Sequence, residues 1–183
     1  MAACALDAAP IERIGEVIAL LIRNRPMGDP AVVHDTFVLE RDYPVSPERV
    51  FAAFANPEAK RAWFAEGHNH DLERFEMDFQ VGGVEISRYR VRPSGRFAGV
   101  VLSSDGTYLD IQPGRRIVIA SILAMAGVRL SASLVTLSFA PTTEGTRLTC
   151  THQGAFFENA DGPERRKTGW RRLLHQLAEA LDR

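Results

Sequence analysis

From Phe75 to Val81 apolar and polar residues alternate, with Phe75, Met77, Phe79 and Val81 set against Glu76, Asp78 and Gln80. A period of two predicts a half-buried strand. Gly82-Gly83 supplies a tight turn, and 84–91 returns as the second strand of a hairpin. Further strands are predicted around 98–102, 107–111, 117–123, 130–139 and 146–152, with turns at 92–96, Pro113-Gly114, Ala126-Gly127 and Thr143 to Gly145. Strand follows strand with no helix between, which predicts an antiparallel meander. A helical period takes over at the end of the chain. Trp170, Leu173, Leu174, Leu177, Ala178 and Leu181 share one apolar face, and Asp161 with Glu164 reads as a capping-box-like start.

Between Arg41 and Phe64 the chain changes character. Tyr43-Pro44 ends an extended segment, because proline restricts its predecessor and donates nothing to a ladder. Ser46-Pro47-Glu48 then reads as N-cap, first helical position and first-turn acid, with Val50, Phe51 and Phe54 on one face. Asn56-Pro57-Glu58 repeats the device, and a second short helix runs to Trp63-Phe64.

Taken in order, the segment 41–64, DFQVGG at 78–83, GTYLDIQPGRRIV at 106–118, the stretch 133–154 and the Trp170 helix resemble the START-like helix-grip superfamily. Within it they are most similar to the family named for the activator of the heat shock protein 90 ATPase. The resemblance runs from about Thr36 to Leu181. It implies an α+β fold in which a curved antiparallel sheet wraps a long C-terminal helix, with two short helices after the first strand. It also implies a cavity between helix and sheet, and it brings no universal catalytic residue.

Composition narrows the partners. The 183 residues are 45% hydrophobic, enough for one compact domain with a sizeable core. Lys and Arg number 22 against 23 Asp and Glu, a net charge of -1, whereas proteins that grip phosphate backbones show a basic excess. Nucleic acid is excluded as the expected partner. Cys4 and Cys150 lie far apart, so no disulfide framework is indicated and a reducing cytoplasm is expected. Residues 1–34 form a separate extension before a domain over 35–183. Ile11, Ile14, Val17, Ile18, Leu21 and Ile22 fall at helical spacing, so the extension is either an amphipathic helix, able to dock on a partner or a second copy, or an over-extended start with Met27 as the alternative. Its apolar run is too short for a signal peptide or a membrane span.

Strand parity and helix faces nominate the cavity lining. Phe75, Met77 and Phe79, Val135, Leu137 and Phe139, and Leu148, Cys150 and His152 each share a strand face. Phe51, Phe54, Trp63, Trp170 and Leu174 approach from the helices. Such residues ordinarily pack as core, and the cavity reading rests on the fold. Cys150 and His152 face the same side, as a thiolate and its base would, yet no orienting third group is visible; Cys150 reads as packing and His152 as the polar handle. His68, His70 and Asp71 lack the remaining ligands of a zinc site and read as a solvated loop, and Arg165, Arg166, Lys167, Arg171 and Arg172 read as solvated charge. No metal or cofactor is implied.

The expected function is binding of a small apolar, lipid- or polyketide-like molecule. Two alternatives accompany it. One is a chaperone-contacting role like that of the family's namesake, using the outer surface. The other is a cyclase or dehydratase-type enzyme in which His152 works with a carboxylate such as Asp78 or Glu85.

Overall fold

The computed structural model describes residues 32–66, 70–92, 97–158 and 160–182. The predicted helix at 11–22, the Met27 start, Cys4 and His68 lie outside the described residues.

Strand β1 (Val33–Tyr43) leads into helix α1 (Pro47–Ala55), helix α2 (Pro57–Lys60) and a π-helical turn over Arg61–Ala65. Both helices start as their sequences predict. Ser46 and Asn56 accept hydrogen bonds from the amides of Arg49 and Ala59, and Pro47 and Pro57 stand at the first turn, where a missing N–H costs nothing. Six antiparallel strands follow as a meander: β2 (His70–Met77), β3 (Val84–Val91), β4 (Val101–Gln112), β5 (Arg116–Met125), β6 (Val128–Thr142) and β7 (Gly145–Phe156). Helix α3 (Pro163–Leu181) closes the chain. The sheet order is β1-β7-β6-β5-β4-β3-β2, so α1 and α2 carry the chain from one sheet edge to the other.

Several boundaries differ from the sequence reading. Strand β2 stops at Met77, so Phe79 and the exposed Val81 of the predicted alternation lie in the turn toward β3, and the second short helix ends at Lys60, with the π-helical turn carrying the chain through Trp63-Phe64. Strand β2 begins at His70, five residues before the alternation becomes visible, because Asp71 and Glu73 are held by Arg92 and Arg90 on the far side of the hairpin. Charge pairs across strands stabilise a ladder as hydrophobic pairs do, without leaving an apolar pattern. Strands expected at 98–102 and 107–111 are one strand, β4. Ser103, Ser104, Asp105 and Gly106 look like turn residues, yet each is paired on both sides, to β3 and to β5. Helix α3 is capped by Gly162 at φ 80°, and Asp161 binds Arg166 instead of the helix amides.

The core lies between sheet and helices. Phe37, Leu39, Tyr43, Val50, Phe54, Ile117, Leu148, Leu174 and Leu177 are buried together. The apolar face of α3 is inward, and two hydrogen bonds fix the helix from below: Tyr43 Oη donates to the Leu174 carbonyl at 2.9 Å, and Arg49 Nη2 to the Leu181 carbonyl at 2.9 Å. This is the helix-grip arrangement.

Candidate functional site

Aligned cross-strand pairs explain why sheet and helix do not close on each other. Glu85, Gly106, Ser121, Ser133 and Gly154 are successive partners in one row across β3 to β7. Four of the five carry no side chain or a single hydroxymethyl. The neighbouring row is Tyr108, Ile119, Val135, His152 and Phe37, with large side chains. A small-residue row beside a bulky one leaves a trough, because interiors otherwise pack to crystal density. At its Glu85, Gly106 and Ser121 end the row borders a cavity of about 290 Å³, at the small end of the range for ligand pockets, whereas over Gly154 the rings of His152 and Phe156 take up the space.

Its walls are mostly hydrocarbon. Ile117, Ile119, Leu123, Val135 and Leu137 supply the sheet side, and Phe54, Phe64, Trp170 and Leu173 the helical side, with Gly169 beside Trp170. A Cβ at Gly169 would meet nothing within 4 Å, so the position is open space.

One wall is polar and buried. Lys60 at the end of α2, Glu85 on β3 and Tyr108 on β4 are all less than 10% exposed and meet in a hydrogen-bonded triad. Tyr108 Oη and Lys60 Nζ both donate to Glu85 Oε2, and Lys60 also donates to Tyr108 Oη at 3.2 Å. The Lys60 ammonium lies 5.2 Å from the Phe64 ring centroid and 5.5 Å from that of Tyr108, within cation–π range. Burial, and then the Glu85 carboxylate, push the Tyr108 phenol far above its ordinary value, which keeps its proton on the bond to Glu85. Burying two charges is tolerable because each compensates the other.

His152 lies on the opposite side of the lining. Its ring stacks on Phe37 at 4.7 Å and meets Trp170 edge-on at 6.4 Å, and its Nδ1 is enclosed with no hydrogen-bond partner. Burial, reinforced by the Arg166 guanidinium, lowers its pKa to about 4, so the imidazole is neutral at pH 7. Arg166 is bound to Asp161 at 2.9 Å and Ser131 at 3.0 Å, and lies 5.4 Å over the Phe156 ring. It is a structural cation of the cavity rim, not the solvated charge expected of 165–167. Arg165, Arg171 and Arg172 are exposed.

Of the residues nominated from sequence, Phe54, Val135, Leu137, His152 and Trp170 line the cavity. Phe51, Trp63, Phe139, Cys150 and Leu174 are buried in the core beside it, and Met77 and Phe79 pack against that core. Phe75 is only partly buried and stands apart from both. Trp63 donates its Nε1–H to the Ala53 carbonyl at 2.8 Å, which anchors it under α1 and away from the lining. Cys150 is fully enclosed, and burial raises its thiol to about 12, the opposite of an activated nucleophile. Asp78 is exposed, while Glu85 faces the cavity. His70 opens β2, where its Nε2 lies 2.9 Å from the Ala65 carbonyl and its ring meets Tyr89 edge-on at 4.8 Å.

Lys60, Tyr108 and Tyr89 escaped the sequence reading. In VEISRYRV the residues turned to the cavity side are Glu85, Ser87 and Tyr89, the less apolar half of the alternation, while Val84 is exposed. The available signal was parity with Met77, the partner of Glu85 across the Gly82-Gly83 turn; hydrophobicity pointed the other way.

The sequence from 44 to 182 matches the family described as activator of Hsp90 ATPase homolog 1-like protein. The chain belongs to this family. Among solved structures, a protein from Rhizobium leguminosarum is 31% identical, with 85% of this chain and 99% of that one covered and a TM-score of 0.76. A protein from Rhizobium loti is 42% identical over 82% of this chain and 99% of its own, with a TM-score of 0.73. An AHSA1-like protein from Aeromonas hydrophila, 18% identical over 81% and 92% of the two chains with a TM-score of 0.60, shares the fold. A comparison with curated proteins returns no match. Family and fold together place the chain among START-like domains, a ligand-binding class. Among the described residues, no helix is long and apolar enough to cross a membrane.

Proposed function

We propose that this protein binds a small, largely apolar molecule in the cavity between the sheet and α3. The observation that carries the reading is the 290 Å³ space itself, walled by aliphatic and aromatic side chains and furnished with one buried polar cluster. A cavity with a few convergent polar groups in an otherwise apolar lining is the usual form of a ligand site. Cys150, buried and unpaired, supports a reducing compartment such as the cytoplasm. Native mass spectrometry of freshly purified protein tests the proposal: a discrete added mass that is lost on unfolding supports it, and a bare chain under gentle desolvation, with no uptake from a panel of apolar compounds, argues against it.

A second reading is favoured by one feature. Glu85 and His152 line the same cavity, as an acid–base pair for a cyclase or dehydratase-type reaction would require. A chaperone-contacting role draws its support from the family's description alone, and the cavity plays no part in it.

A further inference from the structure

The hydrogen-bonding capacity left over in the buried triad restricts what the cavity accepts. This step rests on the ligand-binding reading above. Tyr108 has one proton, and it goes to Glu85 Oε2. Lys60 has three, of which Glu85 Oε2 and Tyr108 Oη take two. One ammonium donor therefore remains. On the carboxylate, both bonds converge on Oε2, and Oε1 accepts from no described residue. Oε1 is also absent from the enclosed atoms that lack a partner, and Glu85 lines the cavity, so this oxygen keeps its open surface on the cavity side.

The triad thus presents one acceptor and one donor, and its two formal charges already cancel. A ligand carboxylate would stand against the Glu85 carboxylate in a medium of low dielectric, and a ligand ammonium against Lys60; both are penalised. An ether or hydrocarbon would leave Oε1 without a donor. A hydroxyl group donates to Oε1 and accepts from Nζ at once, and adds no charge.

The geometry points to an uncharged hydroxyl compound, an apolar ring system bearing an alcohol or phenol, as the class of ligand this cavity takes, with the hydroxyl seated on Glu85 and Lys60 and the hydrocarbon against Ile119, Val135 and Trp170. A hydrogen bond to a charged group is the strong kind, so it discriminates by roughly tenfold or more.

Three probes of one shape test this by calorimetry on the full chain at pH 7: 2-naphthol, 2-methoxynaphthalene and 2-naphthoate. The first should bind about tenfold or more tighter than the other two. A lone Glu85→Gln substitution strands the Lys60 charge and risks the fold, so the companion variant is Lys60→Met/Glu85→Leu/Tyr108→Phe, which removes both charges and the phenol that would otherwise lose its acceptor. With its folding checked by thermal denaturation, it should bind 2-naphthol and 2-methoxynaphthalene within about threefold of each other, the bond that separated them being gone. Equal binding of all three probes by the unaltered protein, or a preference for 2-naphthoate, would overturn the inference and leave the binding site standing. Retention of the 2-naphthol preference in the triple variant would also overturn it. Binding of none of the three would remove the ligand-binding reading for molecules of this size, and the inference with it.

Discussion

Gly106 on β4 and Ser121 on β5 are cross-strand partners on the cavity floor, one with no side chain and the other with a single hydroxymethyl. Next to them Ile119 and Tyr108 fill their share of the interior. The cavity is therefore a property of particular positions in the ladder, and single side chains can close it.

Ser121→Ile should fill the trough and abolish ligand uptake while leaving the fold intact. The new side chain is β-branched, which suits a strand, and it enters existing space, so the stability change should stay within about 1–2 kcal/mol of zero. Native mass spectrometry and a urea melt on the same preparation separate the two effects. Loss of folding would mean that the floor is already tightly packed.

The Lys60–Glu85 pair should show strong coupling. Lys60→Met alone leaves a buried carboxylate without its cation and should cost roughly 3–5 kcal/mol. The Lys60→Met/Glu85→Leu double variant leaves no lone ion and should recover most of that loss. Chemical denaturation of the four members of the cycle measures the coupling. Additive losses would show that the two residues act independently.

His152 makes stability depend on pH in a defined window. Its pKa is about 4 in the fold, lowered by burial, against 6.5 for the free side chain. Between these values the unfolded chain binds the proton and the folded one does not, so stability rises with pH. The contribution is complete above about pH 6.5 and disappears as the pH falls toward 4, a span on the order of 3 kcal/mol. Subtracting the pH profile of His152→Phe from that of the unaltered protein isolates it. A flat difference would mean that the imidazole is solvated or charged in the folded state.

Cys150 should react slowly with a thiol reagent at neutral pH and rapidly once the chain is unfolded. Its enclosure on β7 and a pKa raised to about 12 by burial both suppress the thiolate. Prompt labelling in the native state, abolished by His152→Phe, would establish a nucleophile and base where the geometry shows packing.

How far the sequence carries depends on which periodicity a residue obeys. Helix starts were legible because Ser46-Pro47 and Asn56-Pro57 are local chemistry, and the α3 face because Leu174, Leu177 and Leu181 keep one period. Val135 and Leu137 were placed by parity alone. The polar wall was not legible for the opposite reason: on β3 parity and hydrophobicity disagree, and burying Glu85 becomes affordable only through Lys60, 25 residues earlier and on a helix. Long-range compensation of that kind leaves no local trace. The same holds for Trp63, whose inward position was expected but whose indole is turned aside by one hydrogen bond to Ala53.

That hydrogen bond divides the two tryptophans into a weak reporter and a strong one. Trp63 is 2% exposed and packed edge-on against Phe54 at 4.9 Å, whereas Trp170 lines the cavity between Phe64 and His152. A ligand entering the cavity would touch the Trp170 indole directly and reach Trp63 only through Phe54 and Phe64. Fluorescence titration with an apolar compound should therefore give a saturable response in the unaltered protein and in Trp63→Phe, and a much smaller one in Trp170→Phe. Stability should divide the other way. Truncating fully packed core aromatics costs roughly 3–5 kcal/mol, so Trp63→Ala should approach that figure and also strand the Ala53 carbonyl. Trp170→Ala should cost distinctly less, because part of its ring faces space that is already empty. Equal losses for the two alanine variants, with no fluorescence response from either indole, would make the region beneath α3 solid core and remove the basis for a binding site there.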